Sequence, residues 1–215
     1  MKIRTVENLL ERLDEDLIWR KKELSTMKLL IENSNGSDLE LNTRVGIVLI
    51  YAHWEGYVKR SANCYLIYLS QFKFRYDEWV ENFIALSLKG KFKVCAETRK
   101  VSDTCSIVDI LINNLHEETK IPHQEIIPRI SILNSSLFFE ILFILGLEKT
   151  PFELKKQLID RVLVQNRNEV AHGEKIPISK TDFDLLFKEV TEMLELFKKE
   201  IYIAAKSQSF KKMRK

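Results

Sequence analysis

From Val6 to Ile31 the chain runs without a single Gly or Pro, and apolar residues fall at Val6, Leu9, Leu10, Leu13, Leu17, Leu24, Met27 and Ile31 with charges between them. That spacing follows the 3.6-residue period of an amphipathic helix. The same shortage of helix breakers extends to the whole sequence, with six Gly and four Pro in 215 residues, 45% hydrophobic and 30% charged. A chain of this size can bury a real core, and an all-α fold is the expectation.

The first helix ends at "ENSNGSD", whose Asn, Ser and Gly residues favour a turn, so a helical hairpin follows. The next segment, roughly Leu39 to Phe72, is apolar on several faces at once and reads as the central helix, surrounded by the others. Gly46, Ala52, Gly56, Ser61 and Ala62 make parts of it thin. A Gly inside a helix costs about 0.5–1 kcal/mol relative to Ala, so Gly46 and Gly56 point to close packing or close ligand approach.

Around residues 75–130 the pattern weakens into an irregular insertion. "YDEWVENFIALSL" is compatible with a short helix, "KGKFKVCAE" alternates Lys with Phe and Val as an edge strand or a basic loop does, and Ser106 to Leu115 looks helical again with Ser102 or Asp103 as a candidate cap. "ETKIPHQEIIPRI" is a loop stiffened by Pro122 and Pro128. Periodicity then returns. "SSLFFEILFILGL" is a buried helix closed by Gly146, and Thr150, Pro151 and Glu153 have the order of a cap, a first helical residue and a capping box. That helix carries Phe152, Leu154, Leu158, Ile159, Val162, Leu163 and Val164 up to Gly173, and a last amphipathic helix spans about Asp182 to Ala205. Residues 1–205 therefore read as one helical up-and-down bundle, and "KSQSFKKMRK", 206–215, as a flexible basic tail.

Charge and special residues exclude several classes. With 34 basic and 31 acidic residues the net charge is +3, which is no signature of a duplex-binding protein. Cys64, Cys95 and Cys105 form no C-x-x-C pair and leave an odd count, so neither a zinc ribbon nor a disulfide framework is supported and a reduced, cytoplasmic protein is expected. The first residues lack the apolar run of a signal peptide. "VGIVLIYAHW" and "LFFEILFILGL" are shorter than a membrane span and interrupted by His53 and Glu140, so no membrane partner is expected. No glycine-rich phosphate loop, nucleophile elbow or metal constellation occurs, and neither cofactor nor metal is called for.

One polar segment interrupts this apolar chain. "QNRNEVAHGEK", residues 165–175, places Arg167, Asn168 and His172 at the end of an otherwise apolar helix. Asn168 and His172 are four residues apart and share a face, and the long Arg167 side chain reaches the same patch. The negative end of the helix dipole favours a cation where His172 lies, and the planar guanidinium of Arg suits phosphate. Two readings fit: a phosphodiester site, or a polar helix end that hydrogen-bonds its own terminus. On the central helix His53, Glu55 and Lys59 are further candidates to line a cleft, with Glu55 and Lys59 at ion-pair spacing, although a His on an apolar helix is equally at home as a hydrogen-bonded core residue. His116 and His123 belong to the Pro-containing connection and read as surface residues. Trp54, Tyr57, Tyr65, Tyr68 and Phe72, spaced at three, four, seven and eight, read as core.

"RNEVAHG" late in a helical chain, after a helix carrying "YAHWEGYVKR", resembles the HEPN domains (higher eukaryotes and prokaryotes nucleotide-binding), and within them the small prokaryotic branch that includes MAE_28990 and MAE_18760. The family signature is Arg, often followed by a polar residue such as Asn, then His after four to six residues. The resemblance covers about residues 5–200. It implies a helical bundle whose homodimer joins two motifs into one composite cleft, acting as a metal-independent endoribonuclease of a toxin–antitoxin or antiviral system, with an antitoxin or neighbouring-gene protein as partner. Carried over, Arg167 stabilises the phosphoryl group of RNA, Asn168 positions the motif and His172 is the acid or base. The alternative is a non-catalytic HEPN-type module that docks nucleotide, RNA or protein, and beyond it a purely structural helical dimerisation domain.

Overall fold

The computed structural model describes residues 3–98, 100–124, 126–127 and 132–212. Helices α1 (Val6–Glu32), α2 (Gly36–Leu69) and α7 (Lys180–Ser207) pack on one another along their lengths and form the frame. Thr5 starts α1 by accepting a hydrogen bond from Asn8 N at 3.2 Å, and Leu9, Leu13, Leu17, Leu24, Met27 and Ile31 form its buried stripe. α2 is the central helix, burying Ile47, Ile50, Trp54, Tyr57, Val58, Tyr65 and Leu69 on several sides. Its two glycines serve packing: a Cβ at Gly46 would stand 2.5 Å from the Phe183 ring, and one at Gly56 would stand 2.7 Å from the Arg20 guanidinium.

α7 begins with a capping box that the sequence reading passed over. Ser179 Oγ accepts from Asp182 N, and the Asp182 carboxylate accepts from Ser179 N, both at 3.1 Å. Its stripe of Phe183, Leu186, Val190, Leu194, Phe197 and Ile201 closes the core against α1 and α2. The aromatic set of α2 lies in that core, with Trp54, Tyr57 and Tyr65 fully buried.

The segment around 75–130 holds more regular structure than its sequence suggests. α3 (Glu81–Glu97) includes the whole of "KGKFKVCAE", so neither an edge strand nor a loop forms there, and α4 (Val101–Asn113) starts before Ser106. Only the first half of α3 has a core face, at Phe83, Leu86 and Leu88; from Lys89 to Glu97 nearly every side chain is exposed. Without a buried stripe there is no helical period to read, and the helix rests on good helix formers such as Lys, Ala and Glu. After α4 the chain is irregular but anchored by buried Ile121, Ile127 and Leu133. Pro122 lies on this connection, while Pro128 is outside the described residues.

α5 (Ser135–Leu145) starts at Asn134, whose side chain accepts from Leu137 N, and ends at left-handed Gly146. The expected single helix from Thr150 to Gly173 is one rod with three windings: a 3-10 stretch (Thr150–Lys155), a π-helical stretch (Leu158–Val164) and α6 (Gln165–Ala171). Pro151 takes its place in the first turn, but Thr150 lies inside the turn and makes no capping hydrogen bond.

The C-terminal residues up to Lys212 are docked where a frayed tail is expected. Phe210 is fully buried against the rings of Phe72, Phe74 and Trp79, and Lys212 N donates to Glu78 O at 2.8 Å. One apolar anchor among the basic residues is enough to pin the segment. Among the described residues, no helix is long and apolar enough to cross a membrane.

Candidate functional site

α6 delivers Arg167 and Asn168 to the flank of α2. The Arg167 guanidinium carbon lies 5.2 Å from the centroid of the Tyr51 ring, and its Nη1 donates to Asn168 Oδ1 at 2.9 Å. Both motif residues are half-buried, which leaves the outer edge of a planar five-donor group to meet a ligand. Stacking on an aromatic face while bonded at one nitrogen fixes the plane of the fork.

Beneath the guanidinium, Tyr51 is locked. Its ring is 2% exposed, its hydroxyl accepts a hydrogen bond from buried Leu133 N at 2.8 Å, and the Glu55 carboxylate also reaches it. Burial above all pushes the phenol up to about 12, with Glu55 acting in the same direction and the Leu133 N–H and Arg167 against it. Tyr51 is therefore a neutral plate. Tyr51, Glu55 and Lys59 follow one another at four-residue spacing, so they share one face of α2, where Lys59 Nζ donates to Glu55 Oε1 at 2.7 Å. Glu55 and Lys59 thus lie on the face that carries Arg167.

His172 occupies the C-cap of α6. Its backbone N donates to Asn168 O at 2.9 Å, and the next two N–H groups return to the helix, Gly173 N to Val170 O and Glu174 N to Glu169 O, each at 3.0 Å. Those two bonds are the Schellman closure, which requires the left-handed backbone that Gly173 adopts at φ +83°. The imidazole is exposed at a fixed helix end, one turn beyond Asn168.

His53 is on the other side of α2. It is 3% exposed and faces α1, where Nδ1 is 3.3 Å from Arg20 Nη1 and the Trp19 ring lies edge-on at 5.2 Å. Since Arg20 can only donate, Nδ1 is the acceptor and the proton sits on Nε2. The Glu23 carboxylate is 2.8 Å from Nε2, on the side of the ring opposite Arg20. Arg20 is held in turn by Asp16 through Nε at 2.9 Å, and Asp16 also accepts from Trp19 Nε1 at 3.0 Å and pairs with Arg60 at 3.3 Å. Burial and the Arg20 charge lower the His53 pKa, with Glu23 opposing. This group binds α1 to α2, away from the motif.

Two contributors escaped the sequence reading. Tyr51 carried a usable signal, four residues before Glu55 on the same stripe. Asp160 accepts from Ser135 N and Ser135 Oγ at 2.7 and 2.6 Å and ties the rod to the start of α5.

No curated protein and no solved structure matches the chain. One family model does, over residues 15–202, and it is described as RiboL-PSP-HEPN. That description names the HEPN domain and not the MAE-type branch. With this match spanning α1 to α7 and the Arg167–His172 motif on α6, the chain belongs to the HEPN domain family.

Proposed function

We propose that this protein is a metal-independent endoribonuclease that cuts RNA at a composite site in a homodimer, acting in the cytoplasm as a toxin or antiviral effector held in check by a partner protein. The observation that carries the reading is the Arg167 fork, stacked on Tyr51 and bonded to Asn168, one helical turn from an exposed His172. In this reaction the RNA 2′-hydroxyl attacks the adjacent phosphorus, the bond from phosphorus to the 5′-oxygen breaks, and a 2′,3′-cyclic phosphate and a 5′-hydroxyl result. One His172 takes the 2′-hydroxyl proton and the His172 of a second copy protonates the leaving oxygen. Arg167 stabilises the charge that develops on the phosphoryl oxygens, and Asn168 keeps the fork in place. One chain supplies a single motif His, which is the physical reason for two copies. Leu154, 95% exposed on the motif rod, and half-exposed Val162 give that rod an apolar surface suited to a partner.

The test uses purified full-length chain and single-stranded RNA in EDTA. Cutting is expected to yield cyclic phosphate ends, and His172→Ala is expected to abolish it while the dimer mass persists. Cleavage at the parent rate in that variant overturns the assignment. Tight RNA binding with no cleavage by the parent chain replaces it with the non-catalytic binding module.

A further inference from the structure

We infer that the outer face of α5 and the start of the motif rod form a second nucleic-acid subsite, a lysine-capped aromatic groove that takes unpaired nucleotides flanking the scissile phosphate. It rests on the ribonuclease reading and extends it from the reacting phosphate to the way the strand is held.

The groove measures about 510 Å³ and is lined by Ser135, Ser136, Phe139, Glu140, Phe143, Lys149 and Lys156. Phe139 and Phe143 are four residues apart, about 6 Å along the helix, so two bases lie on the rings without sharing one. Phe143 is 52% exposed and Phe139 half-buried. A lysine stands over each ring: Lys149 Nζ is 4.9 Å from the Phe143 centroid and Lys156 Nζ is 4.5 Å from that of Phe139. The exposed side of each ring is thus covered only by a flexible lysine, which a flat ligand can displace. When a base stacks on the ring, the four-carbon stem lets the ammonium swing to the phosphate on either side.

Charge and position both select RNA over an apolar peptide. Two ammonium groups outweigh Glu140, the one carboxylate in the lining, and nearby Asp160 is occupied by Ser135. The groove is also joined to the supports of the motif through a chain of contacts. Arg167 lies on Tyr51, the Tyr51 hydroxyl is bonded to Leu133 N, and two residues later Ser135 opens the groove and is bonded to Asp160 of the motif rod. These bonds fix the groove relative to Arg167, and in the proposed complex the strand passes from one to the other by the α5 N-terminus. Stacking ignores base identity, so the subsite favours unpaired RNA of any sequence and rejects duplex, whose bases are already stacked.

The experiment measures fluorescence anisotropy of a labelled uridine 12-mer with full-length His172→Ala chain, which binds without cutting. Adding Phe143→Ser is expected to weaken binding about 10-fold, and Phe143→Trp to tighten it, since a larger ring stacks better. Replacing Lys149 and Lys156 together by Ala is expected to reduce the slope of log affinity against log salt by about 1.4, two phosphate contacts on a single strand. A blunt duplex is expected to compete poorly. Unchanged affinity in all groove variants, with tight binding by the parent, overturns the groove and leaves the ribonuclease reading standing. Absence of RNA binding by the His172→Ala chain overturns both. Loss of dimer mass on Phe143→Ser, measured by light scattering, assigns this face to contact between copies and overturns the subsite.

Discussion

The guanidinium of Arg167 rests 5.2 Å above the ring of Tyr51, and the hydroxyl of that same ring holds Leu133 N at 2.8 Å. One side chain thus supports the motif with its face and the 132–134 connection with its edge. The two roles separate by substitution. Tyr51→Phe keeps the plate but leaves a buried N–H without an acceptor, so stability is expected to fall by about 1–3 kcal/mol. RNA cleavage in that variant is expected to stay near the parent rate, because the cation–π face remains. Tyr51→Leu removes the face and is expected to lower kcat/KM about 10-fold. Urea midpoints and cleavage rates on the same preparations check this, and a reversed order of activity between the two variants contradicts it.

Gly173 sets the helix end that presents His172. A Cβ there meets nothing within 4 Å, so its cost is that of the backbone alone, φ +83°. Gly173→Ala is expected to cost about 1–2 kcal/mol and to slow cleavage as the Schellman closure loosens. Gly173→Asn, which tolerates the left-handed region, is expected to lose less of both. Equal stability of the parent and Gly173→Ala chains, measured by urea unfolding, removes the premise.

The contrast between what was readable in advance and what was not follows from burial. α1, α2 and α7 each bury a stripe or a whole surface, so their apolar residues repeat at helical spacing and announce the elements. α3 beyond Leu88 buries almost nothing, and its Lys, Phe and Val residues obey no period. The π winding of Leu158–Val164 is equally silent, since it adds a residue per turn without demanding a distinctive side chain. At the site, Arg167 and Asn168 are adjacent in sequence and meet in space, whereas the Tyr51 plate depends on how α6 lands on α2, which no local pattern records. His53 and Glu55 show the limit of proximity in sequence: two residues apart on one helix, they point to opposite neighbours, α1 and the Arg167 face.

Phe210 pins the C-terminal residues, and its energetic weight is expected to exceed that of the charges around it. Truncating a fully buried ring in contact with Phe72, Phe74 and Trp79 is expected to cost about 3–5 kcal/mol, as for other Phe→Ala core changes. Lys211 and Lys212 pair with Glu78 and Glu81 but are more than a third exposed, so replacing each by Ala is expected to cost less than about 1 kcal/mol. Denaturant unfolding of the three variants tests the ranking. A Lys211→Ala or Lys212→Ala chain that loses as much as Phe210→Ala would show that the segment is held by charge.

His53 gives the fold a pH dependence whose sign is set by its environment. Burial and the Arg20 charge keep its pKa below the ordinary value of 6.5, while the unfolded chain has no such constraint. As pH falls through 6.5, the unfolded state therefore binds a proton that the folded state refuses, and stability declines until the folded-state pKa is reached. Protonation there also places a second cation against Arg20 in a site that Asp16 already shares with Arg60. The urea midpoint is accordingly expected to drop between pH 7 and pH 5, and His53→Gln, which can still accept from Arg20, is expected to flatten the profile across that window. A drop of the same size in both chains would assign the pH dependence to other groups.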